Sequence, residues 1–244
     1  MTYCVAIRLD SGMIFASDTR TNAGVDHIAT FRKMRVFDRP DDRVIVLLAS
    51  GNLATTQGVV NILDRHRNAP ADEPTIWNAK SMVDVARLTG EALRTMNHLD
   101  GEELSKNGID ASASLIVGGQ IKGEEQRLFN IYSQGNFIEA HDETPYFQLG
   151  EAKYGKPILD RVVNASTPQD EAAKCVLISF DSTIRSNISV GLPIDLLWYP
   201  KDSLRVGTQQ RIAETDPYYS MLRQRWGSGL RKVFADLPDP DWIS

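Results

Sequence analysis

Thr2, Asp18 and Lys33 are the residues of this chain whose types and spacing can do chemistry together. Thr2 heads an apolar run, Tyr3-Cys4-Val5-Ala6-Ile7-Arg8-Leu9. Once Met1 is removed, Thr2 carries a hydroxyl and a free α-amine on one residue, a nucleophile with its own base. An α-amine titrates at about 7.7–8.0, so a nearby ammonium would keep more of it neutral at pH 7. Lys33, in the run Phe31-Arg32-Lys33-Met34-Arg35, is the candidate for that ammonium, and Asp18 for its counterion. Backbone N–H groups must then meet the oxyanion that forms during attack on a carbonyl. Gly51, just past a buried apolar run, is the candidate donor, and Arg20 stands two residues beyond Asp18. Each residue also has an ordinary reading alone: a second residue that tolerates loss of Met1, a surface Asp18–Arg20 pair, and one basic residue of three on a solvated strand edge.

The elements that must position these residues follow from hydrophobic period and turn chemistry. Residues 2–9 and 12–17 alternate as strands about the turn Asp10-Ser11-Gly12. Antiparallel pairing about that turn sets the Thr2 end beside the Asp18 end. Residues 19–31 read as a loop, 34–37 as a short strand and 44–49 as a buried strand closed by Ser50-Gly51-Asn52. Helical spacing predicts helices over 53–66 and 79–96, separated by a connection over 67–77. Residues 100–110 read as polar loop. Strands are expected at 112–118, 127–132, 136–140 and 147–149, the last ending at Gly150. A helix starts at 156, with Pro157 in its first turn. Another follows Thr167-Pro168-Gln169-Asp170, with Pro168 suited to its first position, and runs to about 185. Strands at 194–199 and 204–209 and an amphipathic helix over 216–234 complete the chain. Gly227-Ser228-Gly229 reads as an irregularity within that helix.

Strands come in hairpins and helices in pairs, which is not the alternation of a parallel sheet. The expected class is α+β: a four-layer αββα sandwich of two antiparallel sheets with helices on both outer faces. Residues 1–244 read as a single domain, and about 200–244 as a C-terminal extension with one amphipathic helix. Composition agrees with a globular chain: 42% hydrophobic, 24% charged and a net charge of −5, which argues against non-specific nucleic-acid binding. No stretch has the roughly 20 apolar residues of a membrane span, and no signal peptide is read. The two cysteines, Cys4 and Cys175, lie in apolar surroundings and read as reduced thiols. These features together predict a cytoplasmic protein. The four histidines, His27, His66, His98 and His141, have no metal-ligand spacing. There is no P-loop, GxGxxG, GxSxG, HExxH or CxxC, so no metal and no cofactor are expected.

Several stretches resemble proteasome β-subunits and related N-terminal nucleophile (Ntn) hydrolases such as HslV. Residues 12–20 (GMIFASDTR) resemble the apolar strand followed by Asp-x-Arg, and 32–35 (RKMR) the lysine strand. Residues 49–57 (ASGNLATTQ) are similar to the glycine turn and helix start at the oxyanion hole. Residues 112–119 (SASLIVGG) and 148–150 (QLG) resemble elements of the second sheet and its following turn. Within that family, residues 19–26 (TRTNAGVD) and 185–191 (RSNISVG) look most like the bacterial Anbu branch. The resemblance covers roughly residues 2–200.

It implies the αββα fold, a threonine-type peptidase with Thr2, Asp18 and Lys33 as catalytic residues, and a homo-oligomer built as rings or helical arrays. Peptide or protein would be the substrate, and any ATP-dependent unfoldase would be a separate chain. There are departures. Gly150 is followed by Glu151 where the family usually has serine, and Arg185-Ser186-Asn187 with Ser189 stand where an Arg-Asp pair and a later Ser-Gly are usual. Ser186 or Asn187 could hydrogen-bond the Thr2 amine, but neither carries the missing negative charge, which implies weaker activity. Two other functions remain open: an amidohydrolase of small amides or isopeptides, since fold does not fix substrate, and a non-catalytic assembly subunit. The short lead before Thr2 speaks against the last. The helix over 216–234 is either further cover for the sandwich or a subunit interface.

Overall fold

The computed structural model describes residues 1–22, 28–65, 70 and 72–243. Its first hairpin is the one the turn chemistry requires. Strand β1 (Tyr3–Leu9) pairs antiparallel with β2 (Gly12–Asp18), with Cys4 opposite Ser17 and Leu9 opposite Gly12. Both strands are buried along nearly their whole length because each has two apolar faces to cover. Tyr3, Val5 and Ile7 face one way and pack with Ala172, Val176 and Phe180. Cys4 and Ala6 face the other way and pack with Val44, Val46 and Leu48. A two-residue side-chain period thus sends alternate residues into two different cores.

Further elements follow in chain order. Strands β3 (Arg20–Asn22) and β4 (Ile28–Thr30) form a small ribbon, and β5 (Met34–Arg39) and β6 (Arg43–Gly51) a hairpin. Helices α1 (Leu53–Arg65) and α2 (Met82–Lys106) precede strands β7 (Ala113–Ile121), β8 (Arg127–Ile131), β9 (Phe137–Glu139) and β10 (Tyr146–Gly150). Helices α3 (Lys156–Val162) and α4 (Gln169–Ser186), strands β11 (Ile194–Pro200) and β12 (Gln209–Ile212) and helix α5 (Pro217–Asp236) complete the order. Two five-stranded sheets result, β10-β1-β2-β11-β12 and β5-β6-β7-β8-β9, with antiparallel pairing throughout.

Their facing sides share one apolar layer, exemplified by Phe15, Leu48, Ile116 and Leu197. Helices α1 and α2 cover the second sheet through Val59, Met82, Val85 and Leu93. Helices α3 and α4 cover the first through Leu159, Val176 and Phe180. The architecture is the αββα sandwich expected from paired hairpins and paired helices. Among the described residues no helix is long and apolar enough to cross a membrane.

Six local expectations are corrected. Residues 19–31 are not all loop: the β3–β4 ribbon pairs Arg20 with Thr30 and Asn22 with Ile28. The residues between these strands, including Gly24 and His27, lie outside the described residues, as does His66 at the expected end of α1. Residues 100–110 do not form a loop until Asn107. Helix α2 runs to Lys106, carried by exposed Glu102 and Glu103 pairing with Lys106 at 3.0 and 2.8 Å, because a solvated turn needs no apolar stripe. The same helix starts at Met82 rather than 79, where the Ser81 side chain accepts the Asp84 N–H. The last strand lies at Gln209–Ile212 rather than 204–209, in register with Ile194–Leu197. Pro168 occupies the N-cap of α4 instead of its first helical position. Gly227-Ser228-Gly229 interrupts nothing, since α5 passes through it.

The C-terminal helix is divided along its length. Tyr219 and Leu222 join the core over the first sheet, and Arg223 donates to the buried Asp181 at 2.8 Å. Beyond them Leu230, Val233, Phe234 and Leu237 are exposed, as are Trp242 and Ile243 after the helix. Its first half covers the sandwich, and the apolar side chains of its second half are exposed.

Candidate active site

The site lies at one edge of the sandwich, where ends of both sheets converge on Thr2. Antiparallel pairing of β1 with β2 brings Asp18 to the start of β1, and its Oδ1 accepts the Tyr3 N–H at 3.0 Å. The same oxygen receives the Lys33 ammonium at 2.7 Å. Lys33 enters β5 of the other sheet and is fixed there by its carbonyl, which accepts the Ala49 N–H at 3.0 Å. Its Nζ also donates to the Arg20 carbonyl at 2.6 Å. The Asp18–Lys33 pair therefore joins the two sheets, with the carboxylate fully buried and the lysine side chain 8% exposed.

Burial pushes the Asp18 carboxyl above the ordinary carboxylate range. Lys33 and the N–H groups of Tyr3 and Gly191 draw it partway back by favouring the ionised form. Gly191 N stands 3.4 Å from Oδ2. Arg20 supports that approach from outside: it donates to the Ile188 carbonyl at 2.8 Å and packs against Gly191, where an added Cβ would come within 2.3 Å of the guanidinium. The buried Cys4 thiol is raised by desolvation, which makes it unreactive at neutral pH.

Thr2 itself is 7% exposed and is held through its backbone. Its carbonyl accepts the Glu151 N–H at 2.7 Å. Only glycine fits at position 150 beside it, because φ there is +77° and a Cβ would stand 1.9 Å from the Thr2 carbonyl oxygen. Thr2, Lys33, Ser50, Gly51 and Gly150 line one cavity of about 890 Å³, together with Met1. Gly51 ends β6 at φ +113° with Ser112 so close that a Cβ would lie 2.3 Å from its carbonyl oxygen. Asn52 follows and caps α1, its side-chain oxygen accepting the N–H groups of Ala54 and Thr55 at 3.0 and 3.2 Å.

Thr2, Asp18, Lys33, Gly51 and Arg20 are thus gathered at one place. Ser186 and Ser189 do not line the cavity: Ser186 is exposed in the last turn of α4, and the N–H of Ser189 donates to Asn187 Oδ1 at 2.9 Å. Asn187, one of the two residues expected near the Thr2 amine, meets a neighbour of Thr2 instead of lining the cavity. Asn187 Nδ2 donates at 2.8 Å to Glu151 Oε2, because an amide donor satisfies a buried carboxylate.

Glu151 is the residue that sequence reasoning passed over as a departure from pattern. It is 7% exposed, and its Oε1 lies 3.7 Å from Lys153 Nζ. It places an acidic side chain on the residue hydrogen-bonded to Thr2. Its position one step past a strand that pairs with β1 was the available signal, but using that signal requires the β1–β10 register, Tyr3 opposite Gly150.

Comparison with solved structures gives close likenesses over almost the whole chain. "Anbu (ancestral beta-subunit)" from Yersinia bercovieri is 53% identical, with 98% of each chain covered and a TM-score of 0.92. The chain of the "Helical Assembly of the Anbu Complex" from Pseudomonas aeruginosa is 49% identical over 98% of each chain, with a TM-score of 0.93. An Anbu (Gly-1) mutant from Hyphomicrobium sp. strain MC1 is 48% identical over 99% of this chain and 100% of that one, with a TM-score of 0.92. No protein-family model matches the chain, and comparison with curated proteins returns no match.

Proposed function

Because this chain belongs to the Anbu family of proteasome-like β-subunits, we propose that it is a threonine-type amide-bond hydrolase acting on peptides. Removal of Met1 frees the Thr2 amine. Thr2 Oγ1 attacks the scissile carbonyl carbon while its proton passes to that amine, directly or through a water. The C–N bond then breaks, the leaving amine takes the proton, and an ester to Thr2 remains. Water hydrolyses the ester and restores the threonine. The observation that carries this reading is the buried Asp18–Lys33 pair whose carboxylate also binds the N–H of Tyr3, which fixes a cation against the residue that follows the nucleophile. In the reaction Lys33 lowers the proton affinity of the amine and Asp18 holds Lys33. N–H groups at the Gly51 turn face the oxyanion, and Arg20 steadies the Gly191 turn behind Asp18. Glu151, hydrogen-bonded through its backbone to Thr2 and oriented by Asn187 outside the cavity lining, is the acidic candidate for steadying the amine. Ser186 and Ser189 have no part in it.

The protein works as a cytoplasmic homo-oligomer. The relative from Pseudomonas aeruginosa is described as a helical assembly, and the apolar stripe of Leu230, Phe234 and Leu237 left exposed here supplies a surface for contacts between copies. Intact-mass spectrometry before and after a peptide epoxyketone, which bridges the hydroxyl and amine of an N-terminal threonine, tests the nucleophile. Loss of Met1 and one adduct, absent from Thr2→Ala, is the expected result. A Met1-free protein that takes no adduct would overturn the reading.

A further inference from the structure

We propose that the cavity beside Thr2 is built to receive an acidic side chain, aspartate or glutamate, on the acyl side of the bond attacked; this rests on the reading of Thr2 as nucleophile. The walls define a slot with apolar residues near Thr2 and a half-exposed cation at its far end. Leu53, Gln57, Val60 and Asn61 recur at helical spacing, so one face of α1 forms one side. The other side is the β5–β6 hairpin, where Arg35 stands opposite Leu47. Leu47 packs into the core beneath α1, and cross-strand partners share a face, so Arg35 rises on the same side of the sheet. From Lys33, beside Thr2, to Arg35 is two strand residues, about 7 Å further from the nucleophile.

The charge on this lining is of one sign. Arg32, Lys33 and Arg35 line the cavity, and no aspartate or glutamate does so among the described residues. Lys33 is already neutralised by Asp18 at 2.7 Å. Arg32 has Asp195 as its nearest acidic influence, but burial holds that carboxyl above the ordinary carboxylate range, and Arg211, 3.4 Å away, draws it back more than Arg32 does. Arg35 has Asp64 of α1 at 3.8 Å, with the two side chains 54% and 44% exposed, so this contact is loose and screened. A peptide side chain entering past Ala49 and Leu53 would set a short aliphatic stem against apolar walls and its carboxylate on the Arg35 guanidinium. Gln57 and Asn61 line the same cavity and carry amide donors. A lysine or arginine side chain would bring a fourth cation into the same slot.

The test uses the Thr2→Ala protein, so that recognition is read without the nucleophile. Fluorescent acetyl-tripeptide amides that differ only in a C-terminal Glu, Gln or Lys are titrated by anisotropy at low salt. The Glu peptide is expected to bind about tenfold more tightly than its Gln isostere, the ratio of one charge-assisted hydrogen bond, and the Lys peptide most weakly. Arg35→Met should bring the Glu/Gln ratio close to one, and Asp64→Asn should raise it. Circular dichroism checks that both variants, at half-exposed positions, are folded. A wild-type-slot ratio at or below one, a ratio that survives Arg35→Met, or no binding of the Glu peptide would overturn the proposal. Failure of Thr2 to take the epoxyketone, with the Glu preference intact, would instead overturn the nucleophile reading alone.

Discussion

The Asp18–Lys33 pair allows a quantitative test, because its two members are not equally supported. Asp18→Asn keeps the shape and an acceptor oxygen but removes the charge. Lys33, 8% exposed, would then hold its ammonium against only the Arg20 carbonyl and a neutral amide. Stranding a buried charge costs about 3–5 kcal/mol, which in a chain of this size lowers Tm by about 6–20 °C. Lys33→Met strands the opposite charge, but Asp18 retains the N–H groups of Tyr3 and Gly191 and can take up a proton, which its upward-shifted pKa favours. That variant should lose about 1–3 kcal/mol. The double variant should be less destabilised than the sum of the two, by about 1–3 kcal/mol of coupling. Thermal unfolding at one fixed protomer concentration measures all four proteins, since assembly alters Tm by mass action. All three variants should also react with epoxyketone far more slowly than the parent. Equal costs for the single variants, or strict additivity in the double, would show that the contact contributes no coupling and would refute the account.

Gly150→Ala should destabilise by about 2 kcal/mol or more, from positive φ and from a Cβ 1.9 Å from the Thr2 carbonyl oxygen, and it should slow adduct formation; a normal Tm and labelling rate would contradict the placement of Thr2. The rate of labelling at Thr2 should rise with pH through the titration of its amine, near or below about 7.7–8.0. Lys33→Met should move that midpoint up, because a cation that favours the neutral amine is lost, and Glu151→Gln should move it down, because an anion that favours the ammonium is lost. Phe234→Ser combined with Trp242→Ser, both side chains 79% exposed, should lower assembly mass by light scattering while leaving the circular dichroism spectrum unchanged; full assembly would free this surface from that role.

How far the site could be read from sequence depends on how each partner is brought in. Asp18 comes to Thr2 by a local hairpin, and a turn at residues 10–11 is enough to foresee it, as the Tyr3 N–H to Asp18 contact shows. Lys33 required knowing that the second sheet folds over the first, which hairpins and helix pairs suggest but do not fix in register. Glu151 was out of reach because β10 pairs with β1 across more than 140 residues, and a short strand with no register does not say what lies beside its last residue. The bond from Asn187 to Glu151 was out of reach for the same reason, since it depends on where Glu151 stands. The helix α2 was foreshortened because its last two turns, about 98–106, are held by solvated charges rather than an apolar stripe. Its polar composition imitates a loop.

The convergence of both sheets on one edge ties the chemistry to the fold. Asp18 belongs to the first sheet and Lys33 enters the second, so their contact exists only when the sandwich is closed. The β1–β6 approach has the same dependence, with the Cys4 thiol directed at the Ala49 carbonyl across the layer at 3.7 Å, and Ala49 is the residue whose N–H binds the Lys33 backbone. Opening the inter-sheet core by even a small amount would break the ion pair before it exposed much apolar surface, because a hydrogen-bonded contact at 2.7 Å tolerates little separation before its geometry fails. Loss of the amine's electrostatic partner should therefore precede loss of the fold. The site is then sensitive to packing between Phe15, Leu48 and Ile116 as well as to the residues that line it.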